Sequence, residues 1–261
     1  MTGTRVPGPL VVLAAAGLLL FLLPLAGLIA RAPWAEVGPA LRAPQTATAL
    51  GLSLYCSLAA TATALVLGIP LALVLARTRG TLRAVLRALT TLPMVLPPVV
   101  GGVALLLAFG RRGLVGAPLY AAFGLHVPFT TAAAVIAETF VAMPFLVIAV
   151  DGGLRSFDHR YEEAARALGA RPWKVFLRVT LPLLRPAIVS GAVLCWARAL
   201  GEFGATITFA GNLPGTTQTM PLAVYVALET QPDAAIVLSL VLLAVSLAIL
   251  VGLRDRWLGA P

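Results

Sequence analysis

Apolar residues in this chain come in long runs, not in the alternation of strands or the stripes of soluble helices. Six runs are long enough to cross a bilayer as helices: about Leu10–Ala30, a stretch inside the uncharged run 43–76, about Thr90–Gly110, about Phe129–Val150, about Pro186–Ala210 and about Ala234–Leu253. A helix needs roughly 20 apolar residues for that crossing. Backbone groups in hydrocarbon must pair within their own segment, so the runs predict helices, and the alternating segments of a barrel are not found. The run 43–76 is long enough to hold a short leading helix as well. The first run could be read as a signal peptide, with Arg5 before it and "ARA" at 30–32. It is long for such a region and five more runs follow, so a retained span is expected.

One segment breaks the pattern. "YEEAARALGARPWKVFLRVTLPLLRP", residues 161–186, carries Glu162, Glu163, Arg166, Arg171, the only lysine (Lys174), Arg178 and Arg185. Tyr161, Ala164, Ala165 and Leu168 recur at i, i+3, i+4, i+7, which predicts a short helix with its apolar face opposite Glu162, Glu163 and Arg166. Gly169 offers the stop. Pro172 suits the first turn of a second helix, with a face of Trp173, Phe176, Leu177 and Thr180 that Pro182 and Pro186 would end. Such a pair could lie on lipid headgroups or dock on a soluble partner, and periodicity alone does not separate the two.

Composition fixes the class. The chain is 60% hydrophobic and 11% charged, with 261 residues and a formal charge of +9, and its mean hydropathy is +0.98. These values describe an integral membrane protein. The basic balance belongs to span flanks, with no basic run in a soluble domain to suggest nucleic acid. Distribution of the cations gives orientation. With the N-terminus inside, fourteen Lys and Arg fall in cytoplasmic pieces: Arg5; Arg77, Arg79, Arg83 and Arg87; seven between Arg155 and Arg185; and Arg254 and Arg256. Four fall outside: Arg31, Arg42, Arg111 and Arg112. Arg198 lies within a span. The bias predicts both termini, and segment 161–186, in the cytoplasm.

Candidate chemistry is sparse. Cys56 and Cys195 lie inside apolar runs and read as small buried residues. His126 and His159 fall in loops on opposite sides, too far apart to share a site. Arg198 and Glu202, four apart within the fifth run, can neutralise each other on one helix face, and with Glu138 they could instead serve ion coupling in a secondary transporter. No convincing internal repeat supports that rival. Asn212, Thr216, Thr217, Gln218 and Thr219 form a neutral polar cluster at the outer end, suited to a hydrated oxyanion that must pass without sticking, or simply to a loop at the water interface. A P-loop needs Gly-Lys-Ser/Thr, and the only lysine follows Trp173, so ATP must bind another polypeptide.

The segment from Glu163 to Pro182 resembles the EAA loop of bacterial ABC importer permeases: Glu163-Ala164-Ala165, three residues, Gly169, nine residues, Val179 where the pattern has Ile, one residue, then Leu181-Pro182. The stretches "GEFGAT" (201–206), "FAGNLPG" (209–215), "TQTMPLAVY" (217–225), "LPMVLPPVVGGVALLLAFGRRGLVG" (92–116) and "ETFVAMPFLV" (138–147) are similar to the molybdate branch of the molybdate, sulfate and tungstate permeases. Sulfate permeases share part of this, and the Gly-Thr-Thr-Gln-Thr-Met-Pro run separates the two.

The resemblance implies an all-α fold of six transmembrane helices of the type I importer class. A first helix and outer loop would occupy 1–45, the transmembrane domain 46–254 with its coupling loop at about 151–185, and a short tail 255–261. It implies a multi-pass protein of the bacterial cytoplasmic membrane that is not itself an enzyme. Its partners would be a second copy of itself, two ATPase subunits carrying ATP and Mg, and an outside molybdate-binding protein. No cofactor or metal on this chain is implied. Glu163, Ala164, Ala165, Gly169, Trp173, Leu181 and Pro182 would couple to the ATPase, with Glu163 as a charged contact. Spans three and five would form the gate and path, which points to Pro93, Pro97 and Pro98 and to Gly201, Glu202, Gly204, Thr206, Asn212 and Thr217.

Overall fold

The computed structural model describes residues 7–252, which are helical with connecting turns. Arg5, Arg254, Arg256 and the tail 255–261 lie outside the described residues. The first apolar run is α1 (Gly8–Ala30), which buries none of its residues. A short amphipathic helix, α2 (Trp34–Arg42), separates it from α3 (Pro44–Arg77), so the run 43–76 is one 34-residue helix and the leading helix precedes it. Pro44 starts α3 at a first-turn position, where its missing N–H costs nothing.

The third run is broken into two helices. α4 (Gly80–Val95) and α5 (Pro98–Phe109) meet at 116°. Pro97 drives Leu96 out of the helical region, and Pro98 does the same to Pro97; their ψ angles are 131° and 129°. α4 carries Pro93 inside it and still continues to Val95. After α6 (Gly116–Phe123) comes α7 (Thr131–Ser156), capped by the Thr130 hydroxyl, which accepts from the Ala133 N–H.

The charged segment forms α8 (Arg160–Ala167) and α9 (Pro172–Val175), which runs through a π-helical turn, Phe176–Thr180, into α10 (Leu181–Leu183). Pro182 therefore lies within this helix instead of ending it. α11 (Arg185–Leu200) leaves it at 69°. The fifth predicted span is likewise broken: residues 201–203 are not helical and α12 (Gly204–Phe209) resumes after them. α13 (Met220–Thr230), not expected from the sequence, precedes α14 (Pro232–Gly252).

α7 is the centre. It packs on α3 and α11 through small residues: Ala60, Ala64 and Ala72 of α3, Ala142, Leu146, Val147 and Val150 of α7, and Cys195 and Ala199 of α11 are all essentially buried. Small side chains let helix backbones approach, which is how helices associate where lipid tails are as apolar as the side chains. Polar links finish the contact. The Trp196 indole donates to Ser57 Oγ at 3.0 Å, and the Met220 N–H, at the start of α13, donates to Ser53 Oγ at 2.7 Å. Cys56 and Cys195 are both buried and free.

Candidate functional site: the charged loop and the two helix breaks

α8 is inside out. Its apolar face looks away from the protein: Tyr161, Ala164 and Leu168 are exposed, Leu168 to 89%, while Glu162 is 6% exposed. Glu162 is held from three directions. The Thr180 hydroxyl donates to Oε1 at 2.5 Å, Arg166 reaches Oε2 at 3.0 Å from the next turn, and Arg77, at the end of α3, lies 3.6 Å from Oε1. A buried carboxylate needs such company, because leaving one unpaired costs several kcal/mol. The sequence points to Glu163; that residue is exposed and free to meet a partner, and its neighbour anchors the loop.

The turn after α8 closes as a Schellman motif. The Gly169 N–H bonds to the Arg166 carbonyl at 2.9 Å and the Ala170 N–H to the Ala165 carbonyl at 3.1 Å. Gly169 has φ +80°, a left-handed conformation that side chains with Cβ rarely adopt. Asp158, just before α8, bonds the Arg160 side chain and N–H, and this pairing holds its carboxyl below the usual range.

Beyond the turn, the face expected of Trp173, Phe176, Leu177 and Thr180 is not the buried one. Trp173 is 67% exposed and Leu177 43%, while Val175 and Thr180 are buried. Val175 and Thr180 are five apart. A π-turn brings i and i+5 onto one side, and an α-helical count does not. Ala165 and Leu181 are half-buried, and Pro182 is exposed. A cleft of about 330 Å³ opens between this helix and α3, lined by Pro70, Arg77, Arg166 and Trp173 among others. A second clamp lies alongside. Asp151 of α7, 4% exposed, takes Arg155 at 2.6 Å and Arg83 of α4 at 3.4 Å.

The two broken spans meet at their breaks. A Cβ on Gly204 would come within 2.7 Å of Pro98 Cβ, and one on Gly102 within 2.6 Å of Thr208 Cβ. Only glycine lets α5 and α12 come this close. Pro93 is half-buried, and Pro97, Pro98 and Gly201 are exposed. Glu202, 1% exposed, bridges the second break: Oε2 takes Arg198 at 2.7 Å, and Oε1 accepts the Ala205 N–H at 2.8 Å, capping α12. Glu138 of α7 is 1% exposed, and its Oε2 has no hydrogen-bond partner among the described residues; the same holds for Thr206 Oγ1, Asn212 Oδ1 and Thr219 Oγ1.

The outer polar cluster is mostly turned inward. Thr217 is fully buried and its hydroxyl accepts the Leu213 N–H at 2.9 Å, closing the 211–219 loop on itself. Thr219 is buried too. Thr216 is exposed, and its carbonyl accepts the Thr131 hydroxyl at 2.8 Å, tying the loop to α7. The sequence pattern assigns no anchoring role to Glu162, Thr180, Asp151, Arg77 or Arg83. The i, i+4 spacings Glu162–Arg166 and Asp151–Arg155 were readable signals of local pairing; the partners on α3, α4 and the π-turn were not.

The family "Binding-protein-dependent transport system inner membrane component" matches residues 64–259. This chain belongs to that family. Within it, the molybdenum transport system permease protein ModB of Mycobacterium tuberculosis is 49% identical over 243 residues, covering 93% of this chain and 92% of the relative. The sulfate transport system permease protein CysT of Escherichia coli is 37% identical over 236 residues, covering 89% and 85%. Among solved structures, a bacterial ABC transporter involved in the import of alginate superposes with a TM-score of 0.71 at 18% identity, covering 95% of this chain and 93% of that one, which establishes the fold. A multi-pass membrane protein with the permease fold follows, and the loop and breaks described above are features of a family member.

Proposed function

We propose that the protein is the permease subunit of an ATP-driven importer that carries molybdate, and tungstate with it, across the bacterial cytoplasmic membrane. The observation that carries this reading is the 49% identity to a molybdenum permease along 93% of the chain, against 37% to a sulfate permease.

The geometry of the charged loop supports the coupling part. Buried apolar surface stabilises at roughly 25 cal/mol per Å², so a water-facing helix that exposes Tyr161 and Leu168 and buries Glu162 suits a surface covered in an assembly. Glu163, Ala164, Gly169 and Trp173 are all exposed around that face, where an ATPase subunit would dock. ATP and Mg belong to that partner. Two permease copies with two ATPases make the assembly, and an outside binding protein delivers the anion to the side carrying the 211–219 loop.

The bias of Lys and Arg supports cytoplasmic termini and a cytoplasmic charged loop. In the transport cycle, closure of the ATPase pair draws the α8 faces together. The Glu162 clamp passes that displacement to α3, and the Asp151 clamp holds α4 to α7. The chain yields where it is already broken, at Leu96–Pro97 and at residues 201–203.

Reconstitution in proteoliposomes with the ATPase and the binding protein tests the reading. Uptake of radiolabelled molybdate should require ATP, both partners and this chain. Uptake without the ATPase, driven by an ion gradient, would replace it with a secondary transporter.

A further inference from the structure

We propose that the Arg198 guanidinium faces the translocation path and pairs with the oxyanion in transit, while Glu202 competes for it and keeps the anion from lingering. This rests on the importer reading above and assigns the residue that handles its substrate.

Arg198 is the one basic residue that the sequence places inside an apolar run. It lies near the end of α11, which begins at Arg185. At 1.5 Å per residue that is roughly 20 Å along the helix from its first residue, against a hydrocarbon core about 30 Å thick.

The pair it makes is lopsided. Glu202 is sealed: its side chain is 1% exposed and both oxygens are engaged, by Arg198 at 2.7 Å and by the Ala205 N–H at 2.8 Å. Arg198 is not sealed; 30% of its side chain is open. Ala197 and Gly201, one turn apart on the same side, are exposed beside it. A guanidinium open at this depth cannot rest against lipid tails; charges there face a water-filled path or another protein surface. Nor can it stretch to a headgroup while held on a buried carboxylate. Of the path and a protein surface, the path is favoured because the two helix breaks lie at the same place, with Gly204 against Pro98.

The chemistry suits a tetrahedral dianion. The guanidinium fork offers paired N–H groups matched to two oxygens of such an ion. An unopposed Arg would bind it too well, and conduction needs a site that is easy to leave. Glu202 supplies the opposition, and because its second oxygen is occupied by the backbone it stays fixed while the guanidinium swings between partners. The bare repulsion expected of a carboxylate near an anion is reduced by the Ala205 N–H, which stays on Glu202 while the guanidinium turns to the anion.

The test uses the complete transporter, with ATPase and binding protein, in proteoliposomes, and reads radiolabelled molybdate taken up per ATP hydrolysed. Arg198→Gln with Glu202→Gln removes both charges of the pair, so neither is left without the other. If Arg198 serves only to neutralise Glu202, this double variant keeps the wild-type ratio, and the proposal falls. We expect the ratio to drop about tenfold or more, the loss of a charge-assisted pair at the hardest point of the path. Glu202→Gln alone should lower both KM and kcat for molybdate, because the anion binds better and leaves more slowly; an unchanged KM overturns the proposal. If the double variant does not assemble with the ATPase, Arg198→Lys decides. It keeps the charge and loses the fork, and a wild-type uptake ratio there overturns the proposal while a several-fold loss upholds it. A wild-type transporter that takes up no molybdate would instead overturn the function; active wild type with an equally active double variant overturns this inference alone.

Discussion

The Thr180 hydroxyl donates to Glu162 at 2.5 Å across eighteen residues of chain, and so ties α8 to the π-turn that leads into α11. Both side chains are buried. Movement of α8 must therefore carry the foot of α11 with it.

Glu162→Ala should weaken that tie by about 1–3 kcal/mol, the cost of leaving the buried Thr180 hydroxyl without its acceptor, while Arg77 and Arg166 are exposed enough to turn to water. Glu162→Gln should lose less, because the Thr180 bond survives. Retention of the ATPase on the purified permease and ATP-dependent uptake report the effect. Glu163→Ala leaves the fold alone and should reduce only ATPase binding; thermal stability of the isolated permease should not move.

Gly169 has φ +80° and open space around its Cβ position. A residue with a Cβ pays roughly 1–2 kcal/mol there, so Gly169→Val should loosen the turn and Gly169→Asn, which tolerates the left-handed region, should do little. Gly169→Glu adds a carboxylate at the proposed docking face and should detach or uncouple the ATPase. Normal co-purification and normal stimulated turnover of Gly169→Glu would remove this face from the coupling surface.

Gly204→Ala places a methyl 2.7 Å from Pro98 Cβ. Overpacking of this kind costs typically 1–3 kcal/mol. The variant should melt lower and, because the contact joins the two breaks, transport less per ATP. Wild-type melting and transport would mean that α5 and α12 separate more freely than their contact implies.

Thr217→Val removes the acceptor of the Leu213 N–H inside the outer loop and should cost about 1–3 kcal/mol. Thr216→Ala, at an exposed side chain, should change nothing measurable. Under the proposed function, selectivity should lie mainly with the binding protein. Tungstate, alike in charge and size, should compete strongly with radiolabelled molybdate and sulfate weakly. Sulfate competing as well as tungstate would move the protein to the sulfate branch.

Topology can be read independently. Reporter tags in 155–160 should be cytoplasmic and a tag beside Thr217 outside. An external 155–160 tag would invert the coupling scheme.

The sequence by itself determined what depends on neighbours along the chain. Run length and hydropathy set the helical membrane class. Gly169 set the turn after α8, since only a residue without Cβ takes that φ at no cost, and Pro97-Pro98 set the break in span three, because each proline excludes the helical region for the residue before it. The pairing of Arg198 with Glu202 followed from i, i+4 spacing.

Tertiary structure decided the rest. Nothing in the order of residues says that Glu162 faces in and Glu163 out; that depends on Arg77 and Thr180 arriving from elsewhere. The π-turn that turns Thr180 inward and leaves Trp173 bare has no signature in an α-helical count. Thr217 reads as a surface donor until its loop folds back on Leu213. The break at residues 201–203 persists because Glu202 caps α12 and Gly204 lets Pro98 in, a fit between two spans. Such partners meet only when distant segments pack, and a local pattern carries no record of them.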